Sequence, residues 1–261
     1  MHIDAIQHYG DELYEALRTR TMVAPLTERD PAISIEDAYR ISLHMLERRL
    51  RDGEKLIGKK IGVTSKVVMN MLNVHQPDFG FLTDGMLLAS GDHLPVSALM
   101  IQPRAEGEIA FKLKSPLRGP GVDERAVIEA TATVHPCFEI VDSRIRDWKI
   151  KIQDTVADNA SCGMFVLGDA LADPRAVDYM TCGIVVWKNG EILSTGAGAA
   201  ALGSPLTAVA WLANTLGAYG VTLDAGDIVL SGSLVPLEPI RAGDQMALTI
   251  AGIGSASINF S

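Results

Sequence analysis

The placement of three glutamates within two otherwise apolar segments constrains this chain more than any other feature. Glu106 and Glu108 lie within residues 104–111, and Glu139 lies within residues 136–141. Both segments are short apolar runs without helical periodicity, which is typical of β-strands. Because side chains alternate along a strand, Glu106 and Glu108 should project from the same face, roughly 7 Å apart. The sequence therefore predicts carboxylates that are held on rigid strands.

Those carboxylates admit two interpretations. Three like charges on rigid strands, without matching cations beside them in the sequence, would repel one another. A hard divalent cation such as Mg²⁺ or Mn²⁺ relieves that repulsion, because such ions take oxygen ligands. Alternatively, Glu106 and Glu108 line a solvated strand face, since sheets with one polar face are common. The spacing of the glutamates does not choose between these interpretations.

Composition narrows the class of protein. The chain has 261 residues, of which 48% are hydrophobic, so it can bury a sizeable core in one large domain or two unequal lobes. Its formal net charge of −9 argues against nucleic-acid binding, which needs a basic face. We expect no membrane partner and no export, because no apolar stretch reaches roughly 18 residues and the first residues lack a secretory pattern. The three cysteines share no CxxC spacing, which favours reduced buried thiols and a cytoplasmic location.

The chain divides into a helical beginning and a strand-rich remainder. Helical periodicity covers residues 3–53, with one helix starting after Ser34, and a later helix is expected over residues 204–216. Strand-like runs separated by Gly, Pro, Asp and Asn turns cover residues 57–63, 86–88, 108–113, 131–141, 164–167, 183–187, 227–231 and 246–250. We predict an α+β fold with a helical N-terminal lobe over residues 1–55 and a mainly β catalytic domain over residues 56–261.

Two glycine-containing segments in the second half of the chain predict different structures. Asn189 and Gly190, between two apolar runs, indicate a type I′ hairpin turn. Residues 196–203 are rich in Gly and Ala between a strand and a helix, which suggests dinucleotide binding. However, their glycine spacing departs from GxGxxG, and the preceding strand closes a hairpin, whereas a dinucleotide fold needs a parallel crossover. We therefore expect no nucleotide cofactor here.

Three further segments carry side chains that are suited to catalysis or substrate binding. One of Lys59 and Lys60, near the end of a short strand, should face inward, where a lysine can orient an anionic group or exchange a proton. Asp78 lies in a polar loop and can do acid–base work. Asn159 and Ser161 can hydrogen-bond a substrate carboxylate. Each segment also has a simpler interpretation, either exposed lysines or polar residues that close turns.

Together these segments resemble the fumarylacetoacetate hydrolase superfamily over nearly the whole chain. The Glu106-Gly107-Glu108 pattern with the later Glu139 marks the superfamily. The hydratase/decarboxylase branch is indicated by residues 57–65, 75–80, 102–108, 138–144, 158–161 and 231–236. Within that branch, the chain is most similar to the 2-hydroxypenta-2,4-dienoate (2-oxopent-4-enoate) hydratases, which act in the meta-cleavage degradation of aromatic compounds.

The resemblance implies a mixed β-roll core and a divalent metal, Mg²⁺ or Mn²⁺. The residues that it implies for the site are the metal ligands Glu106, Glu108 and Glu139 and the catalytic Lys60 and Asp78. Asn159 and Ser161, together with Lys60, are the candidates for substrate binding. The resemblance also implies a homo-oligomer, often built from five dimers, and addition of water to the dienoate to give 4-hydroxy-2-oxopentanoate.

Three other functions stay open at this point. The closest is decarboxylation of 2-oxo-3-hexenedioate (4-oxalocrotonate), whose second carboxylate would favour an additional inward-facing Arg or Lys. Hydrolytic C–C cleavage of an acylpyruvate would need a base-activated water, often from a His–Glu pair, and no histidine is obviously paired in this way. Hydratase and decarboxylase of the branch are known to associate, so a mainly structural partner subunit is the third.

Overall fold

The computed structural model describes residues 1–171 and 173–261. Its helices are α1 (Ile3–Thr19), α2 (Leu26–Arg29), α3 (Ile35–Arg51), α4 (Lys66–Met71), α5 (Val96–Leu99), α6 (Glu124–Ala130), α7 (Ile152–Ala157) and α8 (Pro205–Gly217). Its strands are β1 (Leu56–Gly62), β2 (Asp78–Thr83), β3 (Leu87–Ala89), β4 (His93–Leu94), β5 (Pro103–Leu113), β6 (Thr131–Asp142), β7 (Cys162–Leu167), β8 (Gly183–Lys188), β9 (Glu191–Ala197), β10 (Ile228–Leu230), β11 (Glu238–Pro239), β12 (Gln245–Ile250) and β13 (Gly254–Phe260).

The N-terminal helices α1 and α3 pack against each other over an apolar core. Ser34 begins α3 with a capping box: its hydroxyl accepts the N–H of Asp37, and the Asp37 carboxylate accepts the N–H of Ser34. From α7, Ile152 and Val156 join the same core, so the N-terminal helices share packed surface with the strand-rich region. The domain boundary at residue 55 stays a prediction.

Two sheets form the strand-rich region. The larger has the strand order β2-β1-β10-β5-β6-β7-β3, and β11 pairs with β5. The smaller has the order β4-β13-β12-β8-β9. Three pairs are parallel, namely β1 with β10, β3 with β7 and β4 with β13, and the other strand pairs are antiparallel. Helices combined with mixed sheets confirm the predicted α+β class.

Gly107 of β5 lies where the two sheets come close together. A Cβ atom at this position would stand 2.7 Å from Ile184 Cδ1 of β8 and 3.3 Å from Leu248 Cδ2 of β12. The glycine therefore lets the smaller sheet cover one face of β5. Since side chains alternate along the strand, Glu106 and Glu108 project from the opposite face.

Two features of the strand-rich region depart from the sequence-based prediction. A single helix was expected there, but α4, α5, α6 and α7 also occur, each of four to seven residues. Helices this short show too few apolar repeats for periodicity to reveal them. The prediction of a polar loop over residues 75–80 is also wrong from Asp78 onward, because Asp78 begins β2 and the whole strand is buried.

The hairpin prediction is confirmed. Asn189 and Gly190 have φ values of 55° and 85° and join β8 to the antiparallel β9, as a type I′ turn requires. The glycine-rich residues 196–203 therefore follow a hairpin rather than a parallel crossover, which removes the main structural requirement of a dinucleotide fold.

One apolar stretch is longer than the sequence analysis allowed. Gly198–Gly217 is long and apolar enough to cross a membrane by length and composition alone, so the expectation that no such stretch exists is wrong. However, 56% of its most apolar window is buried inside the protein, and Leu212 and Ala213 of α8 are fully buried in the larger core. A core helix accounts for this composition.

Candidate metal centre and active site

Strands β5 and β6 bring the three glutamates together. Their antiparallel register sets Glu106 opposite Glu139, and Glu108 lies two residues further along the same face. One carboxylate oxygen from each of the three lies within 4.8 Å of the other two. Glu108 and Glu139 are fully buried. The interpretation that Glu106 and Glu108 line a solvated face therefore does not hold for this arrangement.

Strands β1 and β2 add Lys60 and Asp78 to the same cluster. Lys60 Nζ lies 3.1 Å from Glu139 Oε1, so the glutamates do have one cation beside them. The register pairs Asp78 with Gly62, where a Cβ atom would stand only 2.3 Å from Asp78 Oδ1 and 3.3 Å from Lys60 Nζ. Glycine at position 62 thus leaves the space in which the Asp78 carboxylate lies.

The two neighbouring lysines have different partners. Lys59 is also buried and pairs with Asp227 at 3.1 Å, next to the start of β10. Lys60 faces the glutamates, as predicted for one lysine of the two. The alternative of two exposed lysines is wrong, because both side chains are at most 5% exposed.

A backbone N–H group, which the sequence did not indicate, also contributes to the cluster. The N–H of Gly232 donates to Glu108 Oε2 at 2.8 Å. Gly232 has φ +97°, and a Cβ atom there would stand 2.4 Å from Thr64 Cγ2, so other residues would be strained and crowded at this position. A glycine two residues after the buried strand β10 is the sequence signal that could have indicated this close approach.

Several carboxylate oxygens of the cluster lack a hydrogen-bond partner. Among the described residues, none donates a hydrogen bond to Asp78 Oδ1, Glu108 Oε1 or Glu139 Oε2, and Glu139 Oε1 has the ion pair with Lys60 at 3.1 Å but no well-aligned hydrogen bond. Buried polar atoms are normally satisfied, and four carboxyl groups here face one ammonium. One oxygen from each of Glu106, Glu108 and Glu139 lies within 4.8 Å of the other two, and such a set of carboxylate oxygens suits a hard divalent cation. Glu106, Glu108 and Glu139 therefore fit such an ion.

Burial and mutual repulsion raise the pKa values of the acids. Burial raises the pKa of Glu106 to about 7, with the Glu139 charge adding to it. The pKa of Glu108 is raised well above its usual range by burial and by both neighbouring glutamates. Acids in this condition release their protons when a cation arrives, so metal binding and proton release are coupled.

The pKa values of Lys60 and Asp78, which belong to the same cluster, are both raised. Burial lowers the pKa of Lys60, but the charges of Glu139 and Asp78 outweigh it, so the pKa is raised and the ammonium stays charged. Burial raises the pKa of Asp78, although Lys60 opposes the shift. A charged donor beside a carboxyl group of raised pKa can orient an anion and move a proton.

The structure places Asn159 and Ser161 in a turn held against β2. The Asn159 amide accepts the N–H of Phe81 at 2.7 Å and donates to the carbonyl of Phe81 at 3.0 Å. Ser161 Oγ lies 3.1 Å from Thr155 Oγ1. Both side chains thus have protein partners, and their contribution to substrate binding stays a prediction.

A second buried charged cluster, which the sequence did not indicate, lies at the start of this turn. Arg144 and Asp158 are fully buried and form an ion pair. The Arg144 guanidinium also donates to the carbonyls of Asp142, Cys162 and Asp158. Residues 159–161 all have φ near +50°, a left-handed conformation that costs non-glycine residues roughly 1–2 kcal/mol each. The Arg144–Asp158 pair holds the start of this strained turn.

Comparison with known proteins places the chain in a family. The model described as fumarylacetoacetate (FAA) hydrolase C-terminal matches residues 59–260. A Pseudomonas putida protein named 2-hydroxypent-2,4-dienoate hydratase is 68% identical over 216 residues, which are 83% of this chain and 97% of that protein. A Comamonas testosteroni protein named 2-hydroxyhexa-2,4-dienoate hydratase is 58% identical over 98% of this chain and 97% of its own length.

A solved structure supports the same assignment. The 4-oxalocrotonate decarboxylase from Pseudomonas putida G7, complexed with magnesium and adipate, superposes with a TM-score of 0.96 at 34% identity. The match covers 100% of this chain and 99% of that chain. The predicted fold type is therefore confirmed, and the chain belongs to the fumarylacetoacetate hydrolase family.

Proposed function

We propose that this protein is a metal-dependent hydro-lyase that converts 2-hydroxypenta-2,4-dienoate and water to 4-hydroxy-2-oxopentanoate in the degradation of aromatic compounds. Relatives named as hydratases of such dienoates, at 58% and 68% identity, support the reaction. The observation that carries the chemistry is the set of unpaired carboxylate oxygens beside Lys60 and Asp78.

Glu106, Glu108 and Glu139 would hold the cation, and Mg²⁺ or Mn²⁺ suits their oxygen donors. When bound, a divalent cation supplies Lewis-acid stabilisation of the negative charge that develops on the substrate. The Gly232 N–H holds one oxygen of Glu108 and so fixes the orientation of this carboxylate. The protein itself thus provides a preformed, rigid set of carboxylate ligands before any ion binds.

The reaction moves two protons and one hydroxyl group. The C2 hydroxyl loses its proton and C5 gains one, which gives an α,β-unsaturated 2-oxo acid; water then adds its hydroxyl to C4 and a proton to C3. Lys60 Nζ, which stays cationic, would hydrogen-bond the substrate's oxygens while the C2 hydroxyl becomes a carbonyl. The Asp78 carboxyl, with its raised pKa, would carry a proton between water or substrate oxygen and carbon.

Decarboxylation of 4-oxalocrotonate is the second candidate, because the decarboxylase structure superposes so closely. Its substrate carries a second carboxylate, for which an inward-facing Arg or Lys would be the natural partner. The cavity beside Asp78 contains neither among its described lining residues, and Ile35, Val74, Ile152 and Val156 contribute apolar surface to it. This lining favours a substrate with a single carboxylate.

The test is to incubate the purified chain with each substrate and Mg²⁺ or Mn²⁺, following dienoate absorbance and CO₂ release. We expect dienoate consumption without CO₂, and loss of activity with a chelator. CO₂ release from 4-oxalocrotonate with no hydration of the dienoate would replace the proposal by the decarboxylase. Inactivity of the isolated chain towards both substrates would favour a partner-subunit role.

We further propose a cytoplasmic homo-oligomer, often five dimers in this branch, that can associate with a related decarboxylase. The buried free thiols of Cys137, Cys162 and Cys182 are consistent with a reducing compartment. Light scattering of the purified protein, alone and mixed with such a decarboxylase, measures the subunit count and the association. A monomer that binds no decarboxylase would contradict both parts.

A further inference from the structure

A cavity of about 320 Å³ lies beside Asp78, between the N-terminal helices and the larger sheet. Its walls come from three parts of the chain: α3 contributes Ile35 and Tyr39, α7 contributes Ile152 and Val156, and the connection from α4 to β2 contributes residues 73–77. Ligand pockets in proteins begin at about 300 Å³. The volume is roughly ten times the ~30 Å³ that one water molecule occupies in the liquid.

Asp78 connects this cavity to the reaction centre. It is a lining residue of the cavity, and its carboxylate also lies over Gly62, next to Lys60. A substrate held by Lys60 and the three glutamates would therefore have Asp78 between its reacting carbons and the cavity. The cavity is the space available to whatever extends beyond those carbons.

The wall formed by Tyr39 is well fixed. Its ring stacks on Phe79 with a centroid distance of 4.3 Å, and its hydroxyl oxygen accepts the Phe79 N–H at 3.3 Å. Val156 is fully buried and Ile152 nearly so, while Ile35 is only partly buried. Asn73, His75 and Gln76 add polar groups on one side of the cavity, but the surface from α3 and α7 is aliphatic and aromatic and gains by excluding water.

We propose that this cavity is a subsite for an unbranched alkyl substituent at C5 of the dienoate, so that α3 and α7 set the chain length that the enzyme accepts. The inference rests on the proposed function and names its substrate class: 2-hydroxy-2,4-dienoates with one carboxylate and an apolar tail. Two relatives bear names whose substrates, pentadienoate and hexadienoate, differ by one carbon at this end.

Binding of unreactive analogues tests the subsite without requiring turnover. Saturated 2-oxo acids from five to nine carbons are titrated calorimetrically into the Mg²⁺-loaded protein. We expect the affinity to rise roughly four-fold for each added methylene until the cavity is full, because burying one methylene is worth about 0.8 kcal/mol. An affinity that is independent of chain length would overturn the proposal.

Two variants localise the effect. Ile35→Phe adds bulk from a partly exposed position and should reduce the preference for the eight- and nine-carbon acids over the five-carbon acid about tenfold. Val156→Ala adds space and should shift the preference towards longer acids. Val127→Ala is the matched control, because Val127 on α6 is equally buried but does not line the cavity. Unchanged preferences in both variants would overturn the proposal even if wild-type affinity rises with length.

Turnover separates this inference from the proposed function. The same variants are assayed with dienoates bearing hydrogen, methyl, ethyl or propyl at C5, and ratios of kcat/KM are compared. Hydration by the wild type with ratios unaffected by either variant would refute the subsite and leave the hydratase intact. Chain-length-dependent binding without hydration of any dienoate would refute the hydratase and leave the subsite intact.

Discussion

The protein contains two buried charged clusters, and they are built in opposite ways. In the first, Arg144 and Asp158 pair with each other, and the guanidinium also donates to three carbonyls. In the second, four carboxyl groups surround Lys60, and several of their oxygens have no donor among the described residues. The first cluster is satisfied by the protein, whereas the second keeps carboxylate oxygens without a donor, for which we propose a bound cation as the partner.

Whether a buried charged group has protein partners distinguishes a structural role from a functional one. A buried charge with a full set of partners holds the fold, and removing one partner leaves the other stranded. A buried charge with missing partners weakens the fold, so it is tolerated where function needs it. Removing a carboxylate charge from the second cluster and removing Arg144 from the first should therefore change stability in opposite directions, and this contrast is open to experiment.

The largest effect should come from Glu108→Gln. Loss of one carboxylate charge removes a proposed ligand, and the lost transition-state stabilisation of several kcal/mol corresponds to about 10³-fold in kcat/KM. At a pH above the raised pKa of Glu108, the metal-free variant should also unfold at a higher temperature than the wild type, because one repulsive charge is gone. Activity assays, Mn²⁺ titration and calorimetry measure these quantities, with Glu129→Gln on the surface of α6 as control. Wild-type turnover and metal content in Glu108→Gln or Glu106→Gln would refute the metal assignment.

Arg144→Met should give the opposite result. The substitution leaves Asp158 buried without its cation, which costs about 3–5 kcal/mol of the free energy of unfolding. Urea unfolding measures the loss, and Arg125→Met is a control because its side chain is 84% exposed. At a temperature where the variant is folded, its Mn²⁺ affinity should stay within a few-fold of wild type. Normal stability would show that the pair does not hold the turn.

Lys60→Met tests whether the cation that lies among the four carboxyl groups of the second cluster is catalytic. We expect kcat to fall by 10²–10³-fold, in the range typical of proton-transfer groups, with the metal retained. Lys59→Met is a closely matched control, since this neighbouring lysine is equally buried but pairs with Asp227. Near-normal turnover of Lys60→Met, or an equal loss in Lys59→Met, would remove Lys60 from the mechanism.

The smallest expected effect is a pH dependence of the metal-free protein. A carboxyl group with a raised folded-state pKa binds its proton more tightly when folded, so its stabilisation is present below its ordinary pKa and declines at higher pH. For Glu106 the decline runs from its ordinary value of 4.5 to about 7 and amounts to at most about 3 kcal/mol. The melting temperature should therefore fall between pH 5 and 7.5, and saturating Mg²⁺ should abolish the fall. A flat profile without metal, or one that Glu106→Gln leaves unaltered, would contradict this explanation.

The residues of the second cluster, which contains the three glutamates, Lys60 and Asp78, differ in how far the sequence could predict them. Glu106 and Glu108 share a face because β-strand alternation is a local property, and Glu139 carries the same apolar context. The catalytic assignment of Lys60 and Asp78 depended on the family resemblance. Local sequence does not show that β1 and β2 pair in a register that sets Asp78 over Gly62. Gly232 was missed because its contribution is a backbone N–H, which residue type does not display.

The ion pair of Arg144 and Asp158 could not be predicted from the sequence, for a different reason. Arg144 and Asp158 are fourteen positions apart, and their partners are mostly carbonyls whose direction depends on the left-handed turn. The short helix α7, which supplies one wall of the cavity, has only six residues and so no readable period. Residues that act through backbone geometry and tertiary register need the folded chain before they can be recognised.

The most direct test of the contrast between the clusters is a crystal structure grown with Mn²⁺ and measured at an X-ray energy where manganese scatters anomalously. We predict one strong anomalous peak coordinated by oxygens of Glu106, Glu108 and Glu139, and no peak near Arg144 and Asp158. An empty cluster whose three carboxylates are protonated and hydrogen-bonded to one another, at a saturating manganese concentration, would contradict the account.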